Sequence, residues 1–171
     1  SVRTKFYDKN GNLLTSAADP EYIAPHCKKY EDYDRVMDAG ASSKNIYFIR
    51  YADLILLYAE CLLAENDLAG AKQQVIRVRN RAKVSTPITA SNNTEMLDFI
   101  YEERMRELGM EGWRRMDLIR RGADYFAAQV DKYNPFAKGN VQPYHAFYPI
   151  PTNEINMNDG IGAEDQNEGY K

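Results

Sequence analysis

The stretch YFIRYADLILLYAECLLAENDLAGAKQQVIRVRNRAKV, residues 47–84, predicts two helices joined by a tight turn. In residues 47–65 an apolar stripe recurs at helical spacing and consists of Ile55, Tyr58, Ala59, Leu62 and Leu63. In residues 68–83 the corresponding face consists of Leu68, Ala71, Val75, Val78 and Ala82. Because so short a link separates the two helices, they must lie antiparallel, as in the hairpins of tetratricopeptide stacks.

The composition predicts one globular domain and argues against several classes of protein. The chain has 171 residues, 44% hydrophobic and 27% charged, which is too apolar for a disordered chain. Its net charge of -3 argues against nucleic-acid binding, which needs a clustered basic excess. No apolar run approaches the roughly 20 residues that span a bilayer. The polar start without methionine leads us to expect a piece of a longer protein whose targeting signal lies elsewhere.

The cysteines and histidines predict neither a metal site nor a cofactor. Cys27 and Cys61 have a spacing that matches no metal motif, and Cys61 lies in a helical pattern where a buried thiol is common. A disulfide between the two cysteines is the less favoured alternative. His26 and His145 have no ligand partners at recognised spacing.

The segments around the hairpin complete a mainly α fold. Residues 1–46 are rich in turn-forming residues and show no sustained period, so they predict an irregular segment, with a turn at Asn10-Gly11, that packs on the helices. Residues 47–171 predict the helical region, and together the two parts are expected to form one domain. The predicted fold is a tetratricopeptide-like hairpin plus further helices, with long irregular loops and an irregular C-terminal wrap.

Two further helices are predicted after the hairpin. Asn92 as cap and Glu95 three residues on form a capping-box-like pair before a helix at about residues 94–109. A separate or kinked helix at residues 113–121 ends at Gly122. A short helical turn, ADYFAAQVDKY (123–133), follows. After it comes a tail with apolar area to bury against the helices, contributed by Tyr144, Phe147, Tyr148, Ile150 and Ile155.

The stretch EERMRELGMEGWRRMDLIRRG, residues 102–122, predicts a structural ion-pair cluster. Oppositely charged residues stand three or four apart in the pairs Glu102 with Arg106, Arg104 with Glu107, Glu111 with Arg114 or Arg115, and Asp117 with Arg120 or Arg121. Each such pair contributes about 0.2 to 0.5 kcal/mol when exposed. The cluster members are Glu103, Arg104, Glu107, Glu111, Arg114, Asp117 and Arg120, and we expect partly buried pairs that pin one helix to irregular chain.

A catalytic use of the same acids is the less favoured interpretation. Glu103, Glu107, Glu111 and Asp117 could supply the two carboxyl groups, roughly 5 to 9.5 Å apart, that glycoside hydrolysis requires. However, every acid has an arginine within one helical turn, and arginine lowers a carboxyl pKa, whereas a general acid needs a raised one. Trp113 is predicted to pack rather than to face a sugar.

Separated motifs, in order along the chain, resemble those of the SusD/RagB family. They are IRYADLILLYAE (49–60), VIRVRNRA (75–82), YEERMRELGMEGWRRMDLIRRG (101–122), FYPIPTNEINMN (147–158) and QNEGY (166–170). Asp159 and Glu168 stand where proline is usual in the family, which affects no functional role. The ordered series of motifs covers most of residues 46–170.

The resemblance implies the C-terminal region of a surface lipoprotein of Bacteroidetes-type outer membranes. Such a protein captures oligosaccharides or polysaccharides without hydrolysing them and delivers them to a SusC-like TonB-dependent transporter. It is several times longer than this chain, and its membrane attachment is a lipid on an N-terminal cysteine that these residues do not include. No family sugar-binding residue can be carried over, because the matched motifs are structural.

The residues themselves indicate where sugar would bind, because sugars are held by aromatic faces together with amide and carboxylate groups on loops. The loop KYNPFAKGNVQPYH offers the candidates Tyr133, Asn134, Gln142, Tyr144 and His145. For Tyr133 and Tyr144, packing of the tail alone is the more favoured interpretation.

Two other classes of function stay open at this stage. One is a tetratricopeptide-like scaffold for protein–protein interaction, and the other is an enzyme with a carboxylate pair in a cleft. Because one hairpin cannot bury both faces, part of the 47–65 helix or of the tail is expected to stay exposed or to be covered by self-association.

Overall fold

The computed structural model describes residues 2–3, 26–27, 29–30, 42 and 44–171. The chain divides into two units, Ser1–Arg50 and Tyr51–Lys171. In the described part of the first unit, the short strands β1 (Val2–Arg3) and β2 (His26–Cys27) pair antiparallel, with Val2 opposite Cys27. The predicted turn at Asn10-Gly11 lies outside the described residues, and the predicted packing of residues 1–46 stays a prediction.

The second unit is helical, which confirms the mainly α prediction. Its helices are α1 (Tyr51–Ala64), α2 (Leu68–Arg81), α3 (Asn93–Glu107), α4 (Arg114–Ile119), α5 (Ala123–Tyr133) and α6 (Thr152–Met157). Two 3-10 turns follow α5, at Pro143–Ala146 and Ala163–Asp165. Among the described residues, every helix is too short or too polar to cross a membrane.

Helices α1 and α2 form the predicted hairpin, and α3 packs against both. The turn between them places Asn66 at φ +63°, and the Asp67 side chain caps α2 by accepting a hydrogen bond from the backbone N–H of Gly70 at 2.8 Å. The core between the three helices consists of Ile55, Leu56, Ala59, Leu62, Leu63, Ala71, Val75, Val78, Ala90, Met96 and Ile100. Most of the predicted apolar positions of the hairpin are therefore buried.

Three details of the predicted hairpin are wrong. Helix α1 begins at Tyr51 rather than at residue 47. Tyr58 was assigned to the buried stripe but is 53% exposed, because it lies roughly a third of a turn from the centre of the buried face, which is near Ala59. Leu56, which was not assigned to the stripe, is fully buried. Ala82 is exposed because α2 ends at Arg81, one residue before it.

Helix α3 begins at the predicted cap. The side chain of Asn92 accepts a hydrogen bond from the backbone N–H of Glu95 at 3.0 Å. The Glu95 carboxylate reaches back to the backbone N–H and the hydroxyl of Ser91, both at 2.8 Å, and these hydrogen bonds lower the pKa of Glu95. The chain then turns through Met110 and Gly112, both at positive φ, into the short helix α4.

The chain after Gly122 is more helical and more exposed than predicted. Helix α5 covers the 11 residues for which a short helical turn was predicted, and α6 lies in a segment that was expected to be irregular. Phe126, Leu118 and Ala146 form a second core. Phe147 and Tyr148 were expected to be buried but are 58% and 71% exposed.

Helix α1 keeps an exposed apolar face, as expected for a single hairpin. Tyr51, Leu54 and Tyr58 are more than half exposed on this face. Cys61, which was expected to be buried, is also exposed and is a free thiol.

Candidate functional site

A buried network of charges connects α1, α3 and α4. We call Asp53, Glu60, Arg104, Asp117 and Arg120 the central ion network. Arg104, with its side chain only 2% exposed, donates from Nε to both carboxylate oxygens of Asp117 at 2.9 and 3.0 Å. Its Nη1 lies 2.7 Å from Oδ1 of Asp53, although that oxygen accepts no hydrogen bond of ordinary geometry. Arg104 therefore joins helices that lie far apart in sequence.

Arg120 extends the central ion network to the surface. Its guanidinium donates two hydrogen bonds to the Glu60 carboxylate, at 2.5 and 2.6 Å, and also contacts Asp117 at 3.2 Å. Burial opposes the charged form, but the hydrogen bonds and charge of Glu60 outweigh it and raise the pKa of Arg120. Burial, together with the nearby Glu60 carboxylate, raises the pKa of Tyr101 to about 12.

The members of the central ion network that come from α1 were missed in the sequence. Asp53 and Glu60 stand seven residues apart and so lie on the same side of α1. Two acids at that spacing beside a buried apolar stripe could have indicated an ion pair with another helix, because a buried carboxylate requires a cationic partner. The sequence alone does not indicate which arginine supplies it.

A second network connects α2 to α3. Arg79 donates to Glu103 at 2.9 Å, and both side chains are less than 8% exposed. Arg79 also donates to the carbonyl and the hydroxyl of Thr86, which holds the loop between the helices, and Arg106 approaches Glu103 at 2.9 Å. Glu103 is thus enclosed by two arginines.

The predicted near-neighbour pairs are only partly present. Glu102 and Arg106 lie 3.7 Å apart, and Asp117 contacts Arg120. Arg104 and Glu107, predicted as a pair, each bind a partner on another helix, since Glu107 contacts Arg81 at 2.6 Å. The ion pairs mainly join helix to helix, rather than one helix to irregular chain.

The remaining residues of the predicted cluster lie at the edge of this region. Arg114 is half-buried and donates to the backbone carbonyl of Tyr101 at 3.1 Å, while Glu111 and Trp113 are half-buried. Arg104, Leu108, Gly112 and Arg114 are among the residues that line a cavity of about 120 Å³. Pockets that hold ligands of drug size have about 300 to 1,000 Å³, so this cavity is too small for an oligosaccharide.

Arg115 connects α4 to the candidate sugar loop. Its guanidinium donates to the backbone carbonyls of His145 and Ala146 at 3.1 and 2.9 Å. The same group lies over the ring of Tyr148, 4.2 Å from the ring centroid, and near that of Phe126, at 5.2 Å. Arg115 therefore fixes the position of the 3-10 turn at Pro143–Ala146 relative to α4.

Residues 166–170 bind the backbone of the preceding part of the tail. We call Gln166, Asn167, Gly169 and Tyr170 the closing clasp. The amide of Gln166 accepts from the backbone N–H of Ile150 at 2.8 Å and donates to its carbonyl at 2.9 Å. The Asn167 amide donates to the carbonyl of Tyr148 at 2.6 Å, and the Tyr170 hydroxyl donates to that of Phe147 at 3.1 Å. The QNEGY motif thus binds the backbone of the FYPIP motif.

Gly169 is required for the closing clasp. It adopts φ +88°, and a Cβ atom there would lie 2.3 Å from the ring of Tyr144. The Tyr144 ring also contacts His145 and Tyr170, with ring centroids 4.2 and 5.1 Å away. Tyr144 therefore has much of its ring in contact with the clasp.

The structure places the five candidate sugar residues in two groups. Tyr133 and Asn134 end α5 and are exposed. Gln142, Tyr144 and His145 lie at the 3-10 turn, where the backbone N–H of Gln142 donates to Nδ1 of His145 at 2.9 Å. Helix α5 packs against that turn, and the two groups flank the loop between them.

Within residues 44–171 and the other described positions, no group of three His, Cys, Asp or Glu residues is placed to hold a metal ion. Glu103 and Asp117, two of the acids considered for catalysis, are buried against arginines. What this region offers chemically is a helical scaffold with exposed aromatic and amide side chains in the loop after α5.

Comparison with known proteins gives consistent matches along the chain. The sequence model of the SusD family matches residues 3–170. SusD-like protein P25 of Formosa agariphila is 34% identical over 134 residues, which cover 75% of this chain and 25% of that protein. Starch-binding protein SusD of Bacteroides thetaiotaomicron is 32% identical over 142 residues, which cover 80% of this chain and 23% of that protein.

A further relative, SusD-like protein P38 of Formosa agariphila, is 34% identical over 84 residues, or 44% of this chain and 17% of that protein. No solved structure gives a significant match. The chain spans about a quarter of the length of the first two relatives.

Proposed function

The chain belongs to the SusD family, and from this membership we propose that it is part of a protein that binds glycans as nutrients without hydrolysing them. The observation that carries the proposal is the family match over residues 3–170. A relative named for starch binding, 32% identical over 80% of this chain, supports a carbohydrate as the class of ligand. The interaction-scaffold alternative has no comparable support.

The proposed role of the helices is to support the binding surface. In the central ion network, arginines are paired with buried carboxylates, and Arg115 is bound to backbone carbonyls of the candidate loop. Because these charged groups already have partners inside the fold, they are suited to holding the helices in place. Sugar contacts then belong to exposed aromatic and amide groups.

The proposed partner and location are supported by the same family membership. We propose that the complete protein is a surface-exposed lipoprotein of the outer membrane and that it passes its ligand to a SusC-like TonB-dependent transporter. Attachment would use a lipidated cysteine that lies outside these residues. Co-purification of the complete protein with such a transporter from solubilised outer membranes tests this part of the proposal, and a protein recovered wholly from the cytoplasm would contradict it.

A glycan array followed by calorimetry tests the proposed ligand class. The complete polypeptide is screened first, with starch and other neutral and charged glycans, beside the piece comprising residues 1–171. Binding by the complete polypeptide alone would make this region a scaffold, and binding by both would place sugar contacts in the candidate loop. Binding by neither would contradict the proposal and favour the interaction scaffold.

The candidate contacts in this region remain Tyr133, Asn134, Gln142, Tyr144 and His145. Tyr144 and His145 have ring contacts with each other and with the closing clasp, so alanine at either position also changes the tail. Gln142 is exposed, so a substitution at this position tests sugar binding with less effect on the tail. Gln142→Ala is expected to weaken glycan binding while leaving the melting temperature of the protein unchanged.

A further inference from the structure

The loop after α5 carries a fully projecting aromatic ring. Phe136 is 95% exposed, more than any other large apolar side chain in the described part of the chain. Residues 134–143 contain no other aromatic side chain. Burying this phenyl ring would contribute favourable free energy, and its exposure leaves the whole ring available to a ligand.

The loop is held in one conformation by its own hydrogen bonds. The Asn134 side chain accepts from the backbone N–H of Phe136 at 3.1 Å, and its carbonyl accepts from that of Ala137 at 3.1 Å. The carboxylate of Asp131, on α5, accepts from the backbone N–H of Gly139 at 2.5 Å, where φ is +78°. The ring is therefore presented by an ordered turn fastened to a helix.

The surroundings of the ring suit a hydroxyl-rich ligand, although the loop also carries the exposed Lys138. Asn134, Asn140 and Gln142 place exposed amide side chains in the same loop, and amides both donate to and accept from hydroxyl groups. A protein partner is less well matched, because the centre of a protein interface is a contiguous apolar patch rather than one ring among polar groups.

The neighbouring aromatic residue is less available than Phe136. The hydroxyl of Tyr133 donates to Glu102 at 3.1 Å, and the ammonium group of Lys132 lies 4.7 Å from the centroid of the Tyr133 ring. Tyr133 was predicted from the sequence as an aromatic sugar contact, but the structure shows that its ring and its hydroxyl group both contact charged neighbours.

We propose that Phe136 is the stacking surface for a sugar ring, with the exposed amides of Asn140 and Gln142 as hydrogen-bonding partners for its hydroxyl groups. This inference rests on the proposed function and makes Phe136 a determinant of glycan binding. The apolar C–H face of the sugar covers the phenyl ring, and water is released from both surfaces. The class of ligand is an oligosaccharide.

The test is calorimetry on the complete polypeptide, with the glycan that binds most tightly on the array. Phe136→Ala is expected to weaken binding by roughly ten- to hundredfold, the factor that corresponds to burying one large apolar side chain. Phe136→Tyr keeps the ring and is expected to bind like the parent protein. Met157→Ala is the matched control, because Met157 is 85% exposed on a helix without buried residues.

The outcomes separate this inference from the proposed function. If the parent protein binds glycans and Phe136→Ala binds equally well, the role of Phe136 is refuted while the proposed function stands. If Phe136→Ala and Met157→Ala weaken binding equally, the effect is not specific to the ring and the inference also fails. If the parent protein binds no glycan, both proposals fail together.

Discussion

Replacing Arg104 tests whether the central ion network holds the three helices together. Arg104→Met keeps the length of the aliphatic stem but removes the guanidinium from between Asp53 and Asp117. The three side chains are 2%, 6% and 3% exposed, so water cannot take over the role of the lost cation. Two buried carboxylates would lose the arginine that they share.

The expected loss of stability follows from this burial. Breaking a buried ion pair by removing one partner costs about 3 to 5 kcal/mol, whereas an exposed pair contributes about 0 to 1 kcal/mol. At about 2 to 4 °C per kcal/mol for a protein of this size, the melting temperature should fall by roughly 6 to 20 °C. The control is Arg81→Met, since Arg81 lies 2.6 Å from Glu107 but its side chain is 64% exposed, and its expected shift is less than about 4 °C.

Thermal unfolding of both variants, followed by circular dichroism, measures the difference. Added salt should reduce the small effect of Arg81→Met and leave that of Arg104→Met nearly unchanged, because buried charges are weakly screened. A triple variant with Asp53→Asn and Asp117→Asn in addition should recover part of the loss, because it removes the unpaired charges. Equal melting temperatures for Arg104→Met and Arg81→Met would refute the reasoning.

Three further predictions follow from single positions. Gly169→Ala should destabilise the tail by more than the roughly 1 to 2 kcal/mol that a left-handed backbone costs a residue with a Cβ atom, because that Cβ would also clash with Tyr144. Gly139→Ala is the control, since its Cβ meets no atom within 4 Å and should cost only the left-handed backbone. Hydrogen exchange of residues 144–150 in the two variants measures the difference. The free energy of unfolding should fall by at most about 3 kcal/mol as the pH rises from about 10 to about 12. The reason is that the raised pKa of Tyr101 keeps its hydroxyl protonated in the folded protein after the same group has ionised in the unfolded chain. A Tyr101→Phe variant whose stability has the same alkaline pH profile as the parent protein would argue against this. Asn92→Ala should cost about 1 kcal/mol in urea unfolding and Asn92→Gly only a few tenths, and equal losses would argue against a side-chain cap.

Local pattern was enough to predict most of the helices. The spacing of apolar residues located α1 and α2 to within a few residues, and Asn92 with Glu95 marked the start of α3. These features depend on contacts between residues a few positions apart, which a single sequence displays directly. The same pattern left the exposure of Tyr58 wrong, because it does not fix which sector of a broad apolar stripe the neighbouring helices cover.

The candidate site was only partly predictable for the same reason. The loop 132–145 was selected from its aromatic and amide residues, yet Tyr133 was chosen and Phe136 was not. Which ring is in contact with its neighbours depends on Glu102, some 30 residues away, and on the fold of the loop. The sequence shows that both aromatic residues are present, but it does not show which residues surround each ring in the folded protein.

The sequence by itself determined that the chain is helical, where α3 is capped and that the motifs of the SusD family stand in order. Only the tertiary structure decided which carboxylate each arginine binds: Arg104 pairs with Asp53 across 51 positions, rather than with Glu107 three positions away. Helical periodicity is a short-range property of the backbone, and near-neighbour pairs on an exposed face are weak. Burial between helices selects partners by proximity in space, because an unpaired charge inside the core costs several kcal/mol.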